Sequence, residues 1–501
     1  MRYLYLIPTL FATLCKAATL NHVDTLGFSA SGSNLQLGGT GLAPTIRLDS
    51  NDWPGVIRAA GDVALDFGRV LGTNGTVLLT NSTSSSTSAA VIIAGTIGKS
   101  SLIDALISSS KIDVSAIKGK WESYSSQVVS QPMSGVSSAL VIAGSDKRGT
   151  IYGLYDISEQ IGVSPWYWWA DVPPKTKTGV WALPVTKIQG PPSVQYRGIF
   201  LNDEAPALSN WVTANYPNGQ YGAGYNANFY AKVFELLLRL RANYLWPAMW
   251  DNMFYVDDST SGPLADRYGI VMGTSHTEPM ARATKEQGLF NSGTWDWTTN
   301  KANVKTFMQQ GVTRAKSWET LWTLGMRGEH DTGNPNITAA SLTEIISYQQ
   351  SILKSTLVSE LTCSLPGSRR VLSARDDRAR NYKWINTIQL VKTWEQMHLA
   401  YERQARKIWI VNVGDLKPLE IPITHFFDMA YNMQSFSSPD STAKWLKVWA
   451  AGEFNSRIAD ATAAVITTYG KLIARRKYEL LSTSPFALSV GNYDEAETVL
   501  R

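Results

Sequence analysis

The residues able to do chemistry in this chain stand at the ends of four apolar runs between Tyr196 and Asp331. The first run, YRGIFLNDE, ends at Asn202, Asp203 and Glu204; the second, NYLWPAMW, is followed by Asp251 and Asn252. The third, GIVMGTSHTEP, carries His276 and Glu278, and the fourth, LWTLGMRGEHD, carries Arg327, Glu329, His330 and Asp331. Arg327, Glu329 and Asp331 alternate, so on a strand their side chains share one face. An arginine there can clamp a substrate carboxylate through charge-assisted hydrogen bonds. A glutamic acid beside it can give a proton to a leaving oxygen. Hydrolysis of a glycoside needs two such carboxyl groups, one on each side of the scissile bond. The plainer alternative is an ion-pair cluster that holds no substrate.

The other groups also read two ways. Asp203 and Glu204 suit sugar binding or acid–base work, but equally a helix N-cap or a strand-end ion pair. Trp246 and Trp250 flank Pro247, so one ring could stack on a sugar, or the rings could fill the space between barrel and helix. His276 and Glu278 form an H-x-E, which a strand would point to one face. Zinc deaminases join that motif to P-C-x-x-C, and the chain's two Cys, Cys15 and Cys363, cannot supply it. His276 therefore reads as a substrate-binding group, and neither metal nor cofactor is expected. Serine hydrolase and kinase signatures are absent.

Apolar strands fed by helices, with chemistry at their C-terminal ends, predict a (β/α) barrel that starts at Tyr196. FYAKVFELLLRLRA, GPLADRYG, NVKTFMQQGVTRAKSWET and SLTEIISYQQSILKST read as its helices. The alternation then fails in SELTCSLPGSRRVLSARDDRARNYKWINT, which has no strand of barrel type; poor order is expected from about Ser355 to Arg380. It resumes with the helix NTIQLVKTWEQMHLAYERQA and the strand KIWIVNVGD. Four strands before the break and one after it do not make eight. From about Pro439 the chain reads as helical.

A chain of 501 residues is too long for one ordinary domain. The expected division is a signal peptide over 1–17, an α/β domain over 18–190, the barrel over 191–435 and a shortened helical segment over 436–501. In the front domain VIRAAGDVALDFGRVLG reads as a helix and AAVIIAGTIG as a buried strand. GSDKRG lies between a strand and a helix but has neither phosphate-loop spacing. PWYWWADVPPK reads as packing between domains, with sugar stacking as the lesser alternative. MRYLYLIPTLFATLCKAA has one early Arg, an apolar run and small residues near Ala17, as a secretory leader does. That run is too short for a bilayer span of about 20 residues. Sequons stand at Asn74, Asn81 and Asn336, and the net charge of +5 shows no basic run. Secretion is expected, and neither nucleic acid nor membrane is an expected partner.

Six motifs in order, YRGIFLNDE, NYLWPAMWDN, YGIVMGTSHTEPM, GMRGEHD, NYKWINT and IWIVNVGDLKP, resemble glycoside hydrolase family 115, the xylan α-1,2-glucuronidases. The resemblance implies an α/β domain, a (β/α)8 barrel, incomplete here, and the start of a helical domain. It implies release of glucuronic acid or its 4-O-methyl ether from glucuronoxylan, as polymer or oligosaccharide, with inversion. It places Asp203, Trp246, His276, Arg327 and Asn412 in the uronic-acid pocket, and the run ends add Glu204, Asn252 and Asp331 as further substrate-binding candidates. Glu329 becomes the candidate general acid. The family's Asp-Asp-Asn strand end and Tyr-Tyr-His-Phe-Asp strand have no counterpart between the fourth barrel helix and NYKWINT. In their place CSLPGSRRVLSARDDRA offers Asp376 and Asp377 on no credible strand, so the general base has no assigned residue. Two rivals remain open: a carbohydrate-binding relative without turnover, and another exo-acting barrel glycosidase. A homodimer is the one protein assembly under consideration.

Overall fold

The computed structural model describes residues 20–32, 34–81, 89–203, 205, 208–219, 221, 222, 224–357, 386–414 and 416–475. The first part of the chain runs β1 (Leu26–Gly27), β2 (Leu35–Gly39), β3 (Thr45–Leu48), α1 (Pro54–Leu71), β4 (Thr76–Leu79), β5 (Val91–Thr96), α2 (Ser101–Ser108), β6 (Tyr124–Met133), β7 (Val136–Gly144), α3 (Lys147–Ile161), β8 (Gly179–Ala182) and β9 (Lys187–Gln189). Six of these strands form one mixed sheet in the order β4-β3-β5-β7-β6-β9, and β1, β8 and β2 form a second. Pro54 opens α1 and Gly72, at φ 79°, ends it, the N-terminal proline and C-terminal glycine that helix ends favour. The GSDKRG turn is a helix start: the Asp146 carboxylate caps α3 by accepting from the Gly149 N–H at 2.8 Å.

The second part runs β10 (Tyr196–Leu201), α4 (Leu208–Asn215), α5 (Ala227–Arg239), β11 (Tyr244–Trp246), α6 (Ser261–Tyr268), β12 (Val271–Met272), α7 (Thr284–Phe290), α8 (Trp297–Ala315), α9 (Ala339–Thr356), α10 (Leu390–Glu402), β13 (Ile408–Val413), α11 (Glu420–Tyr431), α12 (Ser441–Glu453) and α13 (Ala459–Ile473). Its strands pair in parallel in the order β12-β11-β10-β13. Asn226 caps α5, and that helix buries Phe229, Val233, Phe234, Leu236 and Leu237 against the sheet. Each such side chain contributes about 1.5–3 kcal/mol by leaving water. On the other face Tyr196, Phe200, Tyr244, Trp246, Val271, Leu321, Ile408 and Ile410 form a separate small core, the filling expected inside a barrel.

The fourth barrel strand differs from expectation. Only a parallel bridge from Met272 to Thr320 extends the sheet there, supported by Met272 N–H to Glu319 O at 3.0 Å and Leu321 N–H to Met272 O at 2.8 Å. At Gly325, whose φ of 109° favours glycine, the Gln349 side chain of α9 binds both backbone groups, at 2.7 and 2.8 Å. A side chain thus takes the bonds a next strand would have taken. Glu329–Asp331 is a turn of 3-10 helix with Asp331 at φ 61°, so Arg327, Glu329 and Asp331 do not alternate along a strand. His276 and Glu278 likewise lie on a turn beyond the two-residue strand β12. Among the described residues the sheet is an arc of four strands and a bridge, not a closed ring. The stretch expected to be poorly ordered lies outside the described residues from position 358, as do Asp376 and Asp377.

The N-terminal edge of this arc is sealed by the front sheet. Glu122, at 2% exposure, accepts from Arg148 Nε at 2.6 Å, Arg197 Nη2 at 2.5 Å and Asn243 Nδ2 at 2.6 Å. Arg197, on β10, also donates to the carbonyls of Arg241 and Val194. Arg148 reaches on to Glu319 with two bonds of 2.9 Å. Burial alone would lower the Arg197 pKa, but the Glu122 charge outweighs it and the guanidinium is held charged more firmly than usual.

Candidate active site

In a parallel sheet all C-terminal strand ends lie on one edge, and the expected site residues stand there. Asp203 follows β10 by two residues. Its Oδ2 accepts from the Asp251 N–H at 2.9 Å, the Asn252 N–H at 3.1 Å and Asn252 Nδ2 at 2.8 Å. Asp203 is buried, so its evident work is to fold the loop after β11 over the edge. Asn252 Oδ1 is buried with no hydrogen-bond partner among the described residues. Glu204 lies outside the described residues.

Trp246 ends β11. Its Nε1 donates to Tyr244 Oη at 2.7 Å, and its ring meets Phe200 edge-on with centroids 5.4 Å apart. Gly273 permits this, because a Cβ there would stand 2.0 Å from Tyr244 Oη and 2.7 Å from Trp246 Nε1. Phe200 is in register with Trp246 on one side and Asn412 on the other. Asn412 accepts a hydrogen bond from Asn202 Nδ2. The small core inside the arc is therefore roofed by one aromatic layer, with two amides at its margin.

The third cluster carries the charge. Asp331 Oδ1 lies 2.6 Å from Arg327 Nε and 3.2 Å from His276 Nε2. Arg327 Nη2 also donates to the Asp331 carbonyl at 3.0 Å. The Arg327 and His276 side chains are 47% and 49% exposed, so each presents an open side to a ligand. Glu329 shares the turn and is exposed. Left-handed backbone costs a non-glycine residue about 1–2 kcal/mol. At Asp331 the ion pairs hold it in place, with two backbone bonds of 3.1 Å, Gly328 N–H to Thr332 O and Thr332 N–H to Glu329 O.

Residues 189–365 and 374–480 match the sequence model of glycosyl hydrolase family 115. The chain belongs to that family. A solved structure described as "a novel family GH115 4-O-methyl-alpha-glucuronidase, BtGH115A, with specificity for decorated arabinogalactans" is 30% identical, with a TM-score of 0.77 over 89% of this chain. The chain covers 63% of that protein, less than two thirds of its length. A Streptomyces plicatus N-acetyl-β-hexosaminidase is 10% identical at TM-score 0.42 (90% of this chain, 96% of that one), and CpGH84B is 11% identical at 0.45 (88% and 75%). Scores that low carry no argument. No curated protein sequence matches.

Three features of this edge were not evident in the sequence. Glu278 is caged: Thr277 and Thr284 hydroxyls donate to Oε1 at 2.5 and 3.0 Å, and the Ser275 N–H and hydroxyl to Oε2. It orders the turn that carries His276 instead of facing a ligand. Lys285, in an unremarkable helix start, ties two loops by donating to the Tyr221 and Asp251 carbonyls at 2.5 and 3.0 Å. Helices α4 and α7 both stand in stretches to which the sequence pattern assigns no element. The short hydroxyl-rich run SHTEPMARAT was the available signal for the first.

Proposed function

We propose that the protein is an α-glucuronidase-type glycoside hydrolase that takes a glucuronosyl or 4-O-methylglucuronosyl branch, α-1,2-linked to xylan, into the edge described above. The observation that carries this is the Glu329–Asp331 turn, which joins an exposed Glu329 to Arg327 and His276 through one shared aspartate. A neutral sugar needs no cation; a uronic acid does, and Arg327 offers it a charge-assisted contact. That weighs against the rival reading of another exo-acting barrel glycosidase, one that takes a neutral sugar. Glu329 would protonate the leaving oxygen. Trp246 would form the floor, with Asn412 and Asn252 supplying polar contacts; Asp203 positions Asn252. Inversion would require a water between Glu329 and a second carboxylate ~6.5–9.5 Å away. The motifs that resemble the family's remaining strand ends are missing from the sequence, so the chain as written is expected to hold the sugar without turning it over. That favours a carbohydrate-binding relative as the second reading for this exact chain.

Secretion belongs to the same proposal. Asn74, Asn81 and Asn336 are all exposed, as sites of N-linked glycans need to be. The test assays uronic-acid release from glucuronoxylan and from a uronosyl-decorated arabinogalactan, using this chain and a version with the family's Asp-Asp-Asn and Tyr-Tyr-His-Phe-Asp segments restored. Release from xylan by the restored chain is expected. No release from either polymer, with no binding of glucuronic acid by either version, would overturn the reading. Recovery of secreted protein that keeps Met1 would overturn the leader assignment.

A further inference from the structure

Asp203 and Lys285 do more than order loops: they join three exposed aromatic side chains along the same edge. The Asp203 carbonyl accepts from the Ser209 hydroxyl at 2.6 Å, two residues before Trp211 on α4. Its carboxylate accepts from the N–H of Asp251, next to Trp250. Lys285 then bonds the carbonyls of Asp251 and Tyr221, and the Tyr221 ring meets Phe290 with centroids 5.9 Å apart. Trp211, Trp250 and Phe290 are 39%, 37% and 42% exposed. Behind Trp211 stand Trp169 and Trp168, with centroids 5.7 and 6.1 Å away. These come from the PWYWW cluster, whose Trp166 and Tyr167 turn inward to bond Thr424 and Glu235.

We infer that Trp211, Trp250 and Phe290 form a rim that takes the neutral pyranose main chain of the polysaccharide whose branch enters the pocket. The inference rests on the reading of that pocket as a uronosyl site. Protein partners are marked by contiguous apolar patches of several hundred Å². Here the three exposed rings, Trp211 with Trp168 and Trp169 behind it, Trp250, and Phe290 beside Tyr221, are set apart from one another by Asp251, Lys285 and Ser209. That alternation suits a ligand that itself alternates apolar C–H faces with hydroxyls, since a ring with an apolar face and a wet surround serves such a ligand well. The loops that carry the rings are the loops that carry Asp203 and Asn252, so a main chain lying on the rim places its branch at the pocket.

The experiment is affinity electrophoresis of the full chain in native gels containing soluble xylan stripped of its uronosyl branches. Retardation is expected, with a several-fold loss of affinity in Trp211→Ala and Trp250→Ala and partial retention in Trp211→Phe. Wild-type protein that the neutral xylan does not retard, or folded alanine variants retarded as the wild type is, would overturn the rim. If the alanine variants unfold, oxidation of exposed Trp by N-bromosuccinimide on wild-type protein decides: protection by neutral xylan supports the rim and none overturns it. A dimer in sedimentation that keeps these rings covered at saturating neutral xylan would also overturn it. Retardation without uronic-acid release or glucuronic-acid binding leaves the rim standing and removes the pocket reading. Glucuronic-acid binding without retardation does the reverse.

Discussion

The two edges of one parallel sheet use the same ionic chemistry to opposite ends. At the N-terminal edge Glu122 and Arg197 are buried together beside a largely covered Arg148, and Arg197 is fully enclosed. At the C-terminal edge Arg327 and His276 meet Asp331 while remaining about half exposed. Buried partners must satisfy one another, because removing one leaves an uncompensated charge. Exposed partners hold one another loosely, since water screens them. The sealed edge thus serves stability and the open edge is free to serve a ligand, the division expected of barrels of this kind.

The largest effect should come at the open edge and appear in rate alone. In a chain given the family's Asp-Asp-Asn and Tyr-Tyr-His-Phe-Asp segments, Glu329→Gln should lower uronic-acid release about 10²–10⁴-fold, with the melting temperature and glucuronic-acid binding retained. Loss of folding instead would place Glu329 among the structural groups.

At the sealed edge the expected loss is stability. Arg197→Met removes one of the two arginines that pair with buried Glu122, together with the donor to the Arg241 and Val194 carbonyls, and should cost about 3–5 kcal/mol in urea unfolding. A value under about 1 kcal/mol would show that water enters this edge and that the contrast is overdrawn.

A pH profile sharpens the same contrast. Asp428, on α11, is pushed up to about 7 by burial, with Arg241 and the Trp445 indole N–H working the other way. Between its ordinary 3.8 and that value the folded chain binds a proton that the unfolded chain has released. Its contribution is therefore full at low pH and lost as pH rises toward 7, by on the order of 1 kcal/mol per pH unit. Asp428→Asn should remove that component from the stability profile between pH 4 and 7. An unchanged profile would show that Asp428 is ionised in the fold.

The smallest effect should be Asp331→Asn on stability, about 0–1 kcal/mol for pairs whose cations stand half in water, while binding of glucuronic acid changes through Arg327 and His276. A loss as large as that of Arg197→Met would erase the distinction between the edges.

The linear pattern carried much of this organisation. Helical periodicity marked α1, α5, α6 and α9, and continuous apolar runs marked β5, β7, β10 and β13, because each buries a side that the spacing of its residues reveals. The order of motifs marked the family and pointed to Asn412, and the ends of apolar runs marked where Asp203, Trp246, His276 and Arg327 would stand. Spacing could not give backbone direction after a strand stops. Alternation in Arg327, Glu329 and Asp331 fits a strand as well as it fits a turn, and the choice went to the turn through Gly325, Gln349 and a left-handed Asp331. Nor could composition tell a ligand-facing carboxylate from one spent on its own loop. Asp203 and Glu278 are committed to neighbours far apart or hidden in the chain, whereas Glu329 stands open. Local periodicity is written into the residues themselves. Which acids are satisfied, and which face outward, depends on partners that only the folded backbone brings within hydrogen-bonding distance.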